Sequence, residues 1–289
     1  MRILIALVCI IILFALVSRW NYRRYTPALK KYGKPVYKIK KQVININANG
    51  RNIYGEILLP EGKEGKLPTV ICSHGYASTC TLCENIAGKP LAAQGYAAVC
   101  CDFCGGGKKS KSDLTMKDMS IITEKEDLLA IIDYVKTLDF VDTDNLFLLG
   151  ESQGGCVSGI AAPERADDIK AMVLYFPTFN LPDMAHEQFE SKEEIAYYFL
   201  SSNLDIGRRY YEDAWDIDIF KTIAAFEKPV LILHGGRDDM VPVTYSEDAA
   251  AAYPDATYEI FEGEVHGLTG KGKVRAFKRT LEFLNGQIG

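Results

Sequence analysis

Ser152 lies in the stretch Gly150-Glu151-Ser152-Gln153-Gly154, after the apolar run Asn145-Leu146-Phe147-Leu148-Leu149 and before a run of small residues, Gly155–Ala162. The first run reads as a buried strand and the second as a tightly packed helix. A serine squeezed into a strand-to-helix turn needs tiny neighbours two positions before and after it, because a Cβ there would collide with the adjoining backbone. The spacing therefore predicts a nucleophile elbow that holds the Ser152 hydroxyl out at the top of a sheet. The pentapeptide recurs by chance in many chains, and the strand and helix around it give it weight.

A serine hydroxyl is a poor nucleophile near neutral pH. It needs a histidine base, and a carboxylate must fix the tautomer of that base. Four histidines are available: His74, His186, His234 and His266. Around such an elbow the acid and then the histidine follow the serine, each beyond a later strand. Pro229–His234 reads as a buried strand ending in Gly235-Gly236-Arg237-Asp238-Asp239, so Asp238 is the expected acid and Asp239 the fallback. Thr257–Phe261 reads as the next strand, and the loop Glu262–Gly267 places His266 beyond it as the base. An aspartate after a strand usually caps a helix, and a loop histidine is usually only solvated. Three matches in the required order outweigh both readings. His234, at a strand end, reads as structural, and His186 receives no role.

Two backbone N–H donors must then hold the oxyanion, each typically worth about 3 kcal/mol of transition-state stabilisation. Gln153, the residue after the nucleophile, supplies one. Thr69–Cys72 reads as a buried strand followed by Ser73-His74-Gly75-Tyr76, so Tyr76 is the expected second donor. Its ring either lines a substrate pocket or packs.

His74-Gly75-Tyr76, Asp102–Gly107, Gly150–Gly155, His234-Gly235 with Asp238 and Val241-Pro242, and His266-Gly267 together resemble the α/β-hydrolase superfamily. Within it they are most similar to the bacterial cinnamoyl or feruloyl esterases, over about residues 42 to 285. The resemblance implies an α/β fold with a mostly parallel central sheet, flanking helices and a small cap insert. It implies hydrolysis of small carboxylic esters with aromatic acyl groups, and no cofactor or metal. The insert falls at about 177–218, a polar, aromatic and helix-prone stretch. Tyr197, Tyr198 and Trp215 are its expected contacts to an acyl group, the alternative being that they pack the cap onto the body. Serine peptidases, thioesterases and lipases use the same machinery, so the leaving group stays open. A catalytically silent, membrane-tethered binding module is the non-enzymatic alternative.

The elements that must carry these residues alternate as such a fold demands. Gln42–Ala48 and Asn52–Leu59 read as strands joined by Asn49-Gly50, a strong hairpin signal. Further strands are expected at 69–73, 97–101, 145–149, 171–175, 229–234 and 257–261. Leu128, Ile131, Ile132, Val135 and Leu138 make one helical face behind a capping box of Thr123 and Glu126. Val274, Phe277, Leu281 and Leu284 mark a final amphipathic helix.

A chain of 289 residues that is 48% hydrophobic can bury one large core, expected over 41–289. A net charge of −5, with the basic residues interspersed among acids, argues against a nucleic-acid partner. Ile3–Val17 is unbroken apolar sequence of roughly 22 Å as a helix, short of a hydrocarbon core unless its flanks extend it. With Trp20 and Tyr22 as an interfacial belt, residues 1–18 read as an uncleaved membrane anchor, a cleaved secretion signal being the alternative. Residues 19–40 read as a basic, aromatic linker, whose charge would keep the enzyme on the cytoplasmic side. Among eight cysteines, Cys80-x2-Cys83 and Cys101-x2-Cys104 have the spacing of a zinc site. Free thiols are the first reading, with a disulfide and a metal as alternatives.

Overall fold

Asn49 and Gly50 both have positive φ, 51° and 79°, the backbone of a tight turn whose twist matches the strands it joins. It links β1 (Ile39–Ala48) and β2 (Arg51–Pro60), antiparallel and in unbroken register from Ala48 opposite Arg51 to Ile39 opposite Pro60. Ile44, Ile46 and Ala48 point into the core, while Val43, on the opposite face just before them, is exposed. The computed structural model describes residues 32–195, 198–201 and 204–288. The expected anchor at 1–18 and most of the linker lie outside the described residues. Among the described residues no helix is long and apolar enough to cross a membrane.

After the hairpin, strands and helices alternate: β3 (Leu67–Ser73), α1 (Cys80–Cys83) running through a π turn into α2 (Lys89–Ala93), β4 (Ala97–Cys101), α3 (Ile121–Lys136), β5 (Val141–Glu151), α4 (Gln153–Ala161) and β6 (Ala171–Tyr175). An inserted stretch follows with α5 (Leu181–Gln188), β7 (Tyr198–Ser201), β8 (Leu204–Gly207), α6 (Arg209–Glu212) and α7 (Ile219–Ile223). The chain returns through β9 (Val230–Gly235), α8 (Thr244–Ala252), β10 (Ala256–Phe261) and α9 (Gly270–Gln287). The main sheet has the order β1-β2-β4-β3-β5-β6-β9-β10. β1, β2 and β4 pair antiparallel, and every neighbour from β4 to β10 is parallel. Because β4 and β5 flank β3, the strand order reverses there, and the loops leaving β3 and β5 open a crevice at the C-terminal edge.

Helices cover both faces, which is why the inner strands carry apolar residues without alternation. All residues of β4, β6 and β9 are buried. Each such Val, Leu or Ile contributes about 1.5–3 kcal/mol against its exposed state, so the strand ends that bear functional residues sit on a rigid frame.

Two local expectations need correction. The capping box of α3 is formed by Ser120 and Thr123, three residues earlier than expected: Ser120 Oγ accepts the Thr123 amide, and Thr123 Oγ1 accepts the Ser120 amide. Thr123 thus serves as the N3 partner, and Ile121, which the expected start excluded, is buried in the first turn. The insert, expected to be helix-prone, contains the antiparallel pair β7 and β8. Tyr198, Phe199 and Ile206 favour strands, and Gly207 docks so closely that a Cβ there would lie 1.9 Å from the Lys117 carbonyl oxygen.

The seven described cysteines are free thiols. Cys80 and Cys83 pack on one face of the sheet, and Cys101 and Cys104 on the other, so the four do not converge on one ion.

Candidate active site

β5 ends at Glu151 and α4 begins at Gln153, leaving Ser152 alone in the turn at φ 52° and ψ −121°. That conformation is costly for a residue with a side chain and persists only where the surroundings fix it. Here they do. The Ser152 amide donates to the Tyr175 carbonyl, and the Ser152 carbonyl accepts the amides of Gly155 and Thr178. A Cβ on Gly150 would lie 2.3 Å from the Gly154 carbonyl oxygen, and one on Gly154 would lie 2.3 Å from that of Ser73. The glycine spacing is thus required by close backbone approach.

The expected partners meet the serine. Ser152 Oγ lies 3.0 Å from His266 Nε2, and His266 Nδ1 lies 2.7 Å from Asp238 Oδ2. Asp238 follows β9, and His266 sits in the loop beyond β10, where its ring meets the Phe176 ring edge-on. Asp238 Oδ1 accepts the amides of Met240 and Val241, both at 2.9 Å. Burial alone would raise the Asp238 pKa. The hydrogen bonds of His234 and His266, the His266 charge and the Val241 amide outweigh it and hold the carboxyl well below its ordinary range. The carboxylate therefore accepts from His266 Nδ1–H and leaves Nε2 as the acceptor facing the Ser152 hydroxyl. Asp239, the fallback acid, is exposed.

His234 does more than fill a strand end. Its Nε2 lies 3.1 Å from Asp238 Oδ2, and the Ser246 hydroxyl meets its Nδ1 at 2.6 Å. Buried His74 is neutral, because burial lowers its pKa; its Nδ1–H donates to the Gly75 carbonyl and its Nε2 accepts the Phe103 amide. That bonding holds the loop carrying Tyr76 against the elbow, where a Cβ on Gly75 would come within 3.1 Å of Ser152 Cβ.

Beside Ser152 opens a cavity of about 190 Å³ walled by Tyr76, Met184, Tyr210, Tyr211, Met240 and Val241. Tyr76 therefore lines the pocket, as one of its two readings held. Thr178, whose hydroxyl is 3.1 Å from Ser152 Oγ, stands at the rim and was not expected. Trp215 is a correction. Its ring packs 4.3 Å from that of His186 and faces a separate groove with Phe179 and Phe220. Tyr210 and Tyr211, the second and third residues of α6, stand where Trp215 was expected. Tyr197 lies outside the described residues, as does the side chain of Tyr198.

Among the described residues, one cluster has donor atoms spaced for an ion: Glu56, Cys80 and Glu84, within 4.8 Å of one another. The Lys41 ammonium already bonds both carboxylates there, with Lys89 on Glu84, so the charge is balanced within the protein.

Comparison with known proteins places the fold that carries these residues. The sequence pattern of the prolyl oligopeptidase family matches residues 87–289. Monoglyceride lipase of Mus musculus is 24% identical over 264 residues, covering 77% of this chain and 82% of that protein. Est1E from Butyrivibrio proteoclasticus, solved with ferulic acid bound, superimposes with a TM-score of 0.75 and 25% identity, covering 84% of this chain and 99% of Est1E. The α/β hydrolase GrgF from Penicillium sp. sh18 superimposes with a TM-score of 0.71 at 16% identity, over 86% of this chain and 99% of GrgF. The fold is that of the α/β-hydrolases, close to the bacterial feruloyl esterases.

Proposed function

The chain belongs to the prolyl oligopeptidase family, and on that premise we propose that it is a serine carboxylic-ester hydrolase acting on aromatic-acyl esters of the cinnamoyl or feruloyl type. The observation that carries the reading is the relay of 3.0 Å from Ser152 Oγ to His266 Nε2 and 2.7 Å from His266 Nδ1 to Asp238. His266 Nε2 takes the Ser152 proton as Oγ attacks the ester carbonyl. The Tyr76 and Gln153 amides hold the resulting oxyanion, and Asp238 stabilises the imidazolium. His266 then protonates the departing alkoxide, leaving an acyl group on Ser152. A water molecule, deprotonated by His266, releases the acid by the reverse sequence.

The preference for an aromatic acyl group rests on the tyrosine and methionine walls of the pocket. A cavity of about 150 Å³ takes benzene, so about 190 Å³ holds one ring with a short linker. The ferulic acid bound to Est1E accords with this. A peptidase reading is favoured by the family match.

A fluorophosphonate probe should label the protein and fail on Ser152→Ala. Among methyl ferulate, a short aliphatic nitrophenyl ester, a monoacylglycerol and a peptide amide, methyl ferulate should show the highest kcat/KM. Faster monoacylglycerol turnover would assign the pocket to aliphatic chains, and faster amide cleavage would favour the peptidase.

A further inference from the structure

Gln153 offers more than its amide. Its side chain is buried, and both ends of its carboxamide are occupied. Nε2 donates to Glu124 Oε2 at 2.8 Å, in the first turn of α3, while Oε1 accepts the Tyr210 hydroxyl at 2.9 Å. Tyr210 belongs to α6 of the insert, and its ring lies 5.4 Å from that of Tyr76. One side chain of the insert thus touches both residues whose amides would hold the oxyanion. A second tie joins the same elements: Ser120, the N-cap of α3, donates to Asp213 Oδ2 at 2.6 Å, immediately after α6. The first turn of α3 therefore grips the insert and braces Gln153 at once.

We propose that Tyr210 is a positioning residue for the oxyanion hole, its hydroxyl fixing Gln153 through the carboxamide braced on Glu124 while its ring steadies Tyr76. The two amides are then aimed at the developing charge when the insert is seated on α3. Such aim matters because a preorganised donor works only where the oxyanion will form, and small misplacements are costly in rate. The inference rests on the proposed ester hydrolysis at Ser152.

The test uses the full chain, a nitrophenyl ester and an arylboronic acid that forms a tetrahedral adduct on the serine. Tyr210→Phe keeps the ring on Tyr76 and removes only the hydroxyl. It should lower kcat about tenfold, the effect of one neutral hydrogen bond, with KM changed less than about twofold. Boronate affinity should weaken by the same factor as kcat. Gln153→Ala should show a similar loss, and the double variant should be no slower than Gln153→Ala alone, because the two groups act through one bond. Thermal midpoints of each variant separate misfolding from misalignment. Wild-type kcat and boronate affinity in Tyr210→Phe would overturn the proposal, as would losses that multiply in the double variant. Failure of the underlying reading looks different: Ser152→Ala would keep its turnover.

Discussion

Asp238 is held by four donors: the amides of Met240 and Val241 on one oxygen, and the rings of His266 and His234 on the other. An asparagine at that position cannot accept all four, and its NH2 would face a ring nitrogen that must itself donate, which favours the wrong tautomer of His266. Asp238→Asn should therefore lower kcat by roughly 10⁴, whereas Asp239→Asn, on an exposed side chain, should stay within about threefold of wild type. Steady-state kinetics of the two purified variants check this, and the opposite ranking would move the acid by one residue. Ser152, Asp238 and His266 were legible in the sequence because each follows its own strand and carries a residue type that the chemistry cannot replace. Thr178 and His234 were not legible in these roles. Their contacts with Ser152 and Asp238 depend on how three strand ends splay, and neither residue type announces that. Tyr210 and Tyr211 belong to the same aromatic stretch as Trp215, and nothing in the spacing distinguishes them from it, because that depends on how the insert turns back over the sheet.

At the level of elements, the elbow is a backbone contact before it is a catalytic device. Gly154→Ala would place a Cβ 2.3 Å from the Ser73 carbonyl oxygen and 2.4 Å from that of His74, both at the end of β3, where the sheet cannot yield. The variant should lose on the order of 3 kcal/mol of stability together with its hydrolysis. Gly286→Ala, in α9 with nothing within 4 Å of the new methyl group, should be neutral or slightly stabilising. Thermal denaturation of the pair measures this, and equal midpoints would mean that the elbow has slack. The eight strands of the main sheet were legible to within a few residues, since apolar runs bounded by Gly and Pro leave little freedom. The start of α3 was misplaced because Thr123 fits either cap position, and only the burial of Ile121 and the tie from Ser120 to Asp213 distinguish them. β7 and β8 escaped because docking on Lys117, a contact distant in sequence, fixes the conformation of the insert.

For the whole molecule, the buried carboxyl of Glu124 couples stability to pH. Burial raises its pKa to about 8, against the partial relief of the Gln153 hydrogen bond. The folded chain thus keeps a proton that the unfolded chain has released above the ordinary carboxylate range, so this group's stabilising share falls as pH rises from about 4.5 to about 8 and is constant above. Glu124→Gln, which mimics the protonated form, should gain on the wild type across that window by up to a few kcal/mol. Thermal midpoints of both proteins from about pH 5 to about pH 9 read this directly, and parallel curves would show that Glu124 titrates normally. The hydrolase core as a whole was legible from the order of its motifs, and the extent of the sheet, the paired strands of the insert and the grip of α3 on it emerge only from packing. The central claim, that Ser152 forms an acyl-enzyme with His266 and Asp238, is tested most directly by the intact mass of the chain after brief exposure to nitrophenyl ferulate and acid quench. The wild type should gain one feruloyl group on the peptide bearing Ser152, and Ser152→Ala should gain none. Release of ferulic acid with no adduct on that peptide, and with turnover undiminished in Ser152→Ala, would contradict it.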